Sequence, residues 1–550
     1  MKPRLYIPPF WIKVGLVVIA LILFTLLLKP KDEVKLETLD SLGMGTSAHL
    51  RVGVDGLPGA YQQLEDMHIH WVREEIPWSE VEQGPGQYQW YYGYGETYRD
   101  FNSMLAEAKK HDLTILAVLN TGPVYLPHQY PDQSVDPDQL IQRWQAYVQA
   151  VVDRYGSQIN HWEIGSEMNN PIQWGKMMFP TQPGATSSPA PFLYSRMLST
   201  AHDIIKKHNP NDQILISGLY GSSTNDCKTS PYWFLNEIKK AGAWDDFDVI
   251  ALHPYWQNNP PEAWMPRGPA LDVETGDCLP DSAVQSNLLG EVRKIQALAR
   301  ETSNKPVWIT ELGWREDWLS LLSTNQDFNT DQVEANYLVR SIVPLISEEG
   351  IRKVFWASQY EDPTNPGFVL GPNGQQALSN LGRLLGGARP LGQMQLYSDT
   401  GTPQDIGLYE YRFRKEGRII LFAWAASGGS TPYPITFEDL PGRKYRAYAS
   451  NAVDLSLKSG MELTVKPDNS LTIYINEQPV ILIQENPSIF ASLKFRIADG
   501  FSNWWSNQQD ELNLYLGNQM EKLGDQALNW SERAFFKLIN WVADRAASKL

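Results

Sequence analysis

The sequence predicts an α/β fold: a (β/α)8 TIM barrel with a C-terminal β-sandwich, an N-terminal transmembrane helix and a C-terminal helical tail. Three observations carry this expectation. Eight short β-like runs alternate with amphipathic helical patterns up to about residue 390, the arrangement that closes a parallel barrel. From about Leu391 strand-like alternation continues without helical spacers. Ahead of both lies an apolar run from Phe10 to Leu28. At 550 residues the chain is too long for one compact core. The expected divisions are a cytoplasmic stub and signal-anchor over 1–32, the barrel over 33–390, the sandwich over 391–486 and an amphipathic helical tail over 487–550.

The N-terminal run reads FWIKVGLVVIALILFTLLLK. Phe10 to Leu28 meets the lower limit of about 17 apolar residues for a span if Lys13 snorkels to the interface. Trp11 sits where an interfacial aromatic belongs. A cleaved signal peptide is the rival reading, but LLLKPKDE offers no small-residue cleavage pattern. The expected location is therefore a single-pass membrane protein with its large domain outside the cytoplasm. Lys2, Arg4 and Lys13 precede the run and Lys29, Lys31 and Lys35 follow it, so the positive-inside rule is nearly silent on orientation.

The strand candidates follow in order: 41–47, 69–76, 113–120, 160–167, 213–221, 247–255, 305–314 and 353–362. Between them, 98–112 places Phe101, Met104, Leu105 and Ala108 on one helical face. Residues 136–156 open with Asp-Pro and close with Gly, as a capped helix does, and 288–302 repeats the pattern. A doubly wound open sheet is the competing α/β fold, and the Gly-rich phosphate loop it usually carries is not visible. A long insertion over 256–282 separates the sixth strand from the seventh.

In the tail, Phe535, Leu538, Ile539 and Val542 fall at i, i+3, i+4 and i+7. That face could pack on the barrel, meet a membrane-protein partner or lie on the membrane surface. The net charge of −16, with no cluster of Lys and Arg, argues against a nucleic-acid partner. Cys227 and Cys278 lack metal-ligand spacing, and outside the cytoplasm they could form one disulfide. Trp is frequent, 20 against 18 Phe, and a flat indole suits the apolar face of a sugar ring.

In a barrel of this type the site forms at the C-terminal ends of the strands. The polar residues found there are Arg73 and Glu75, Asn120, Ser166 and Glu167 with Asn169 and Asn170, His253 and Tyr255, Glu311 and Trp314, and Trp356 with Gln359 and Glu361. No Ser-His-Asp arrangement and no metal set stands out. Two carboxylates do, Glu167 on the fourth strand and Glu311 on the seventh. A strand-end Glu is most often a solvated loop residue. Two of them, accompanied by Arg, His-x-Tyr and Trp, fit the chemistry of glycosidic bond cleavage. One carboxyl must hold a proton for the leaving oxygen while the other stays ionised. Arg73 beside Glu311, with a hydrogen bond from Tyr255, favours the charged form there. A drier, aromatic setting favours the protonated form of Glu167. Glu163 lies lower on the fourth strand and reads as a buried partner in a polar network.

The motifs WVREEIPWSEVEQGPGQYQW, HWEIGSEMNNP, LHPYW, WITELGW and VFWASQYED, in this order, resemble clan A of the glycoside hydrolases, most closely family 39. The resemblance covers roughly 40–390, and the β module that follows is similar to the sandwich accompanying several of these families. It implies that Glu167 is the acid/base and Glu311 the nucleophile of a retaining enzyme, with carboxyl groups about 5–5.5 Å apart. Arg73, Trp78, Asn120, Ser166, His253, Tyr255, Trp314 and Trp356 are expected around the sugar, with Trp356 as its floor. One departure is Ser166, which stands where clan members usually carry Asn reaching the 2-hydroxyl. No cofactor is needed. The expected activity is hydrolysis of a cell-surface or exported polysaccharide or oligosaccharide. A catalytically weak glycan-binding scaffold of an export assembly, and a transglycosylase, are the alternatives.

Overall fold

The apolar runs become eight parallel strands: β1 (Leu42–Gly45), β2 (Trp71–Pro77), β3 (Thr114–Asn120), β4 (His161–Ser166), β5 (Gln213–Tyr220), β6 (Ile250–His253), β7 (Val307–Leu312) and β8 (Ile351–Ala357). Each pairs with its neighbours in sequence, and β8 pairs with β1 to close the barrel. This computed structural model describes residues 42–45, 57–94, 97–120, 136–170, 173, 190–221, 229–271, 278–322, 329–348, 350–357, 370–393, 407–426, 432–456 and 458–485.

A helix follows each strand: α1 (Leu57–Asp66), α2 (Phe101–Lys110), α3 (Pro137–Tyr155), α4 (Ala190–His208), α5 (Pro231–Lys240), α6 (Leu288–Thr302), α7 (Thr330–Ser347) and α8 (Pro372–Leu385). Local chemistry sets their starts. The side chains of Asp100, Asp136, Ser230, Asn287 and Asn329 each accept a bond from a backbone N–H of the first turn. Such caps satisfy donors that have no helical partner, typically at about 1 kcal/mol each.

Side-chain alternation along the strands separates two cores. Val72, Ile76, Ile164, Ile216 and Val354 face the helices and join one large apolar cluster. Trp71, Leu116, Leu215, Val249, Ala251, Trp308 and Phe355 fill the barrel interior. Both strand faces are buried, which is why these runs read as nearly continuous hydrophobic sequence.

The β module is two antiparallel sheets. Arg389–Gln393, Leu408–Lys415, Arg418–Ala425, Val480–Gln484, Lys444–Ala449 and Met461–Thr464 form one in that spatial order, and Tyr433–Phe437 pairs with Leu471–Ile475 in the other. Strand Arg418–Ala425 shows how the module meets the barrel. Leu421, Ala423 and Ala425 face the second sheet, whereas Ile420, Phe422 and Trp424 join the barrel's outer core. The barrel and the sandwich accordingly belong to one compact unit. Helix α7 is buried on all sides from Glu334 to Ile346 and contacts strands of both.

Among the described residues no helix is long and apolar enough to cross a membrane. The anchor expected over 10–28, the tail over 487–550, Cys227, Gln359 and Glu361 lie outside the described residues.

Candidate active site

The barrel interior changes character along its axis. Above the aromatic layer of Trp71, Trp308 and Phe355 sits Arg73, fully buried. Its Nη2 and Nε reach the two oxygens of Glu163 at 2.7 and 3.1 Å, and its Nη1 reaches Glu311 Oε1 at 2.6 Å. Its Nη2 also lies 3.3 Å from Ser166 Oγ. A guanidinium is the side chain suited to two carboxylates at once, because its donors form a rigid planar fork. Burial pulls the Arg73 guanidinium down, but Glu163 and Glu311 outweigh it and hold it above its ordinary value.

The other oxygen of Glu311 accepts from Tyr255 Oη at 2.5 Å. Burial and the Glu311 carboxylate both push the Tyr255 phenol well up, so it acts as a donor. Both Glu311 oxygens are thus held, one by a cation and one by a phenol.

Glu167 is placed by its backbone. It adopts φ +53° immediately beyond β4, with Gly165 at φ +83° two residues earlier. A non-glycine residue in this region costs roughly 1–3 kcal/mol and persists only where neighbours fix it. Its N–H donates to Gly218 O at 3.0 Å, and the next N–H, of Met168, donates to Ser217 Oγ at 2.9 Å. The carboxylate accepts from Asn170 Nδ2 at 3.1 Å and faces His253 Nδ1 at 3.3 Å. Its side chain is 16% exposed against 4% for Glu311, so the drier, aromatic setting expected around Glu167 is not found, and Glu311 is the more enclosed of the two.

His253 lies between the two. Its Nδ1 is 3.6 Å from Glu311 Oε2, and its Nε2 meets Thr310 Oγ1 at 3.0 Å and Glu163 Oε1 at 4.0 Å. Burial pulls this imidazole down, but the Glu311 charge and the bond to Glu167 outweigh it and set it above its ordinary value. Ligand atoms of Glu167, His253 and Glu311 all lie within 4.8 Å of one another. Such a trio could in principle hold a metal ion. The Arg73 guanidinium 2.6 Å from Glu311 opposes a cation there, and the geometry suits proton transfer better.

The expected lining residues divide into two groups. Arg73, Ser166, His253 and Tyr255 join the carboxylate network. Asn120 is buried and donates to Glu75 Oε2 at 3.3 Å, so it orders a neighbouring carboxylate. Three tryptophans require correction. Trp78 begins a short helix outside the barrel, stacks on Tyr147 at 5.6 Å, packs on Trp144 and donates to Glu82. It is core. Trp314 is fully enclosed, donates to Asn259 O at 2.9 Å and stacks on Trp356 at 5.8 Å. Trp356 is the expected floor, but it shares strand parity with Val354 and packs toward the helices. Ala357, one residue on, faces the mouth beside Tyr255, with Tyr220 and Trp318 against them.

Two functional positions escaped sequence reasoning. Thr310 anchors the far side of His253. Gly218 donates its N–H to Glu163 Oε1 at 3.1 Å, and a Cβ there would fall 2.0 Å from His253 Nε2. A glycine inside a strand marks close approach of another group, so the run ILISGLY carried that signal.

Two comparisons with solved structures match this arrangement of strands. The first is a family 39 glycoside hydrolase from the gut symbiont Bacteroides cellulosilyticus WH2, 18% identical, covering 82% of this chain and 81% of that one at a TM-score of 0.56. The second is a glucosidase from Croceicoccus marinus, 12% identical, covering 81% and 96% at a TM-score of 0.51. The chain shares their fold. No protein-family model and no curated protein matches it.

Proposed function

We propose that this chain is a membrane-anchored retaining glycoside hydrolase, with Glu167 as acid/base and Glu311 as nucleophile. One observation carries the reading: oxygens of the two carboxylates face each other within 4.8 Å across the barrel mouth. Retaining enzymes hold the pair about 5–5.5 Å apart, whereas inverting enzymes need about 6.5–9.5 Å to seat a water between them. The shared fold with a family 39 glycoside hydrolase and a glucosidase supports the same reading.

The clamp of Arg73 and Tyr255 on Glu311 supports this division of roles. Glu311, clamped by Arg73 and Tyr255, attacks the anomeric carbon through one oxygen and forms a glycosyl ester. Glu167, the more exposed of the two, gives its proton to the departing glycosidic oxygen. In the second step Glu167 takes a proton from water, whose oxygen displaces Glu311 at the same carbon. The sugar leaves with its starting configuration, and both carboxyl groups are restored. His253 Nδ1 faces both carboxylates, 3.3 Å from Glu167 and 3.6 Å from Glu311, within reach of a hydrogen bond to Glu167 as it ionises.

The substrate in this reading is a polysaccharide or oligosaccharide. The apolar run 10–28 supports anchoring with the barrel outside the cytoplasm, where exported or surface glycans are met. The helical tail is a candidate contact for a membrane-protein partner. One observation favours the weak-binding alternative: Ser166 Oγ is turned onto Arg73, at 3.3 Å, and is too short to replace an Asn at a sugar hydroxyl.

The test is reducing-end release from xylan, glucan, mannan and galactan, with NMR identifying the first-formed anomer. Glu311→Gln is expected to lower release on the order of 10⁴-fold or more. Activity surviving that substitution, or an inverted first product, rejects the assignment. Glycan binding without release in the unmodified chain selects the scaffold reading.

A further inference from the structure

Strands β4 and β5 pair from His161 opposite Gln213 to Ser166 opposite Gly218. The Glu167 N–H adds one more bond to that ladder, to Gly218 O at 3.0 Å, and the chain then turns at φ +53°. β4 thus stops two residues short of Tyr220, the last residue of β5. The side chain of Asn169 takes over there. Tyr220 N–H donates to its Oδ1 at 2.8 Å, and its Nδ2 donates to Tyr220 O at 2.8 Å. A neighbouring strand normally answers the N–H and C=O on one edge of a sheet residue. Here one carboxamide answers both. Nδ2 also donates to Thr229 O at 2.6 Å, in the segment that leads into α5. Asn169 is buried, and both its donors and its acceptor are engaged.

Glu167, Met168 and Asn169 are therefore tied to β5 one after another, through Gly218 O, Ser217 Oγ and both backbone groups of Tyr220. A left-handed residue other than glycine persists only where its surroundings fix it, and these ties fix Glu167 from its C-terminal side. The same turn aligns the carboxyl group. Asn170 Nδ2 donates to Glu167 Oε2 at 3.1 Å, and the Asn170 N–H donates to Glu167 O at 2.7 Å. The position calls for a carboxamide, not for a particular size. Aspartate has the same shape and accepts from Tyr220 N–H, but it loses both donors and sets a charged oxygen against Tyr220 O and Thr229 O.

We infer that Asn169 is a positioning residue for the acid/base Glu167, acting as a surrogate strand that locks the turn presenting its carboxyl group. This inference rests on the glycoside hydrolase reading and adds a residue that needs no contact with the sugar. Its effect falls on one half of the chemistry. Proton donation requires a Glu167 oxygen within hydrogen-bond reach of the leaving oxygen. Attack by Glu311 does not depend on the turn, because Glu311 is held by Arg73 on β2 and by Tyr255 beyond β6. A loosened turn therefore impairs substrates whose leaving group must be protonated and spares those whose leaving group departs as a stable anion.

The test compares kcat/KM, which reports formation of the glycosyl ester, on phenyl and 2,4-dinitrophenyl β-glycosides of xylobiose, cellobiose, mannobiose and galactobiose. Phenoxide needs a proton as it leaves, and dinitrophenolate does not. Asn169→Ala is expected to lower kcat/KM on the order of 10²-fold for the phenyl glycoside and much less for the dinitrophenyl one. Asn169→Asp is expected to be impaired at least as strongly. Ser217→Ala removes only the Met168 tie, so it should show the same split at smaller size, and it decides the question if circular dichroism shows the Asn169 variants unfolded. Equal losses on both leaving groups, or no loss, overturn the assignment, because a purely structural role lowers the active fraction for every substrate alike. Glu167→Ala is the reference. If it shows the split and Asn169→Ala does not, the positioning role fails and the hydrolase reading stands. If Glu167→Ala shows no split, the acid/base assignment fails and the positioning role with it. If the unmodified chain cleaves none of these glycosides, the positioning role is overturned, and reducing-end release from the polymers decides separately whether the hydrolase reading stands.

Discussion

Two histidines lie along the inside of one barrel and titrate in opposite directions. His161 opens β4 at the N-terminal end, with its ring 4.7 Å from Trp71 and 5.7 Å from Trp308. Burial there, with the Lys353 ammonium adding to it, drives the imidazole down to about 3. His253 ends β6 at the mouth. Burial acts the same way on it, but Glu311 and Glu167 overcome that effect and move it up. The environments differ in the sign of the nearest charge. The lower interior holds a cation among aromatic faces, Lys353 Nζ being 4.0 Å from the Trp71 ring centroid and 5.5 Å from that of Trp308. The upper interior holds carboxylates around one guanidinium. The lower end is built to be inert. The upper end keeps charges that can exchange a proton.

Breaking the upper network should have the largest effect on the folded protein. Arg73→Met leaves Glu163 and Glu311 buried without their cation, and denaturant unfolding should show a loss of about 3–5 kcal/mol. A loss below about 1 kcal/mol would mean that water reaches these carboxylates and that the clamp on Glu311 is not electrostatic.

Gly218→Ala tests the same network through geometry. The new Cβ displaces His253, and a shift of about 1 Å in such a group can cost on the order of 10²-fold in rate. The expected result is a large fall in kcat with KM little changed, together with a stability loss of about 1–3 kcal/mol from the overpacked methyl. A normal kcat would show that His253 does not position the pair.

The pH dependence of stability sharpens the comparison. The folded His161 stays neutral down to about 3, whereas the unfolded chain binds that proton near the ordinary value of about 6.5. Its contribution is therefore lost as pH falls from about 6.5 toward 3. The folded His253 keeps its proton above the unfolded value. Its stabilisation is fully present below about 6.5 and is lost as pH rises through the folded value. Unfolding measured from pH 4 to 9 should lose its acid-side slope in His161→Gln and part of its alkaline-side slope in His253→Gln. Slopes changing on the opposite sides would reverse the assignment.

The smallest effect belongs to the lower end. Lys353→Met removes a cation between two indoles, and unfolding should show a loss of about 1 kcal/mol. The pH–rate profile should not move, and a shift in it would mean that the two ends of the barrel are electrostatically coupled.

Much of the fold was legible because its signals are local. All eight runs singled out as strands form the barrel, and the capped helices at 136–156 and 288–302 lie within a residue or two of their expected ends. Apolar periodicity, Asp-Pro and Asn caps and Gly stops act over a few residues, so sequence order reports them directly. The site was legible in part. Polar residues ending apolar runs identified Arg73, Glu167, His253, Tyr255 and Glu311 as a group, because a barrel gathers its strand ends at one mouth. The tryptophans were not legible. Trp356 and Ala357 are adjacent, and which one faces the mouth depends on strand parity and on the bulge that shifts the β7–β8 register between Ile309 and Leu312. Trp78 and Trp314 sit among residues typical of a sugar site, yet Trp144, Tyr147 and Tyr337 come from distant parts of the chain to bury them.

The sequence by itself determined the barrel, the order of its strands and the residue types at their ends, because hydrophobic period and capping are properties of neighbouring residues. Tertiary structure alone decided that Arg73 grips Glu163 and Glu311 together, that His253 needs the bare backbone of Gly218, and that Asn169 takes the place of a strand beside Tyr220. Each of these joins groups tens or hundreds of residues apart. Only closure of the barrel, with water excluded from its axis, brings such groups within hydrogen-bond reach and makes their charges act on one another.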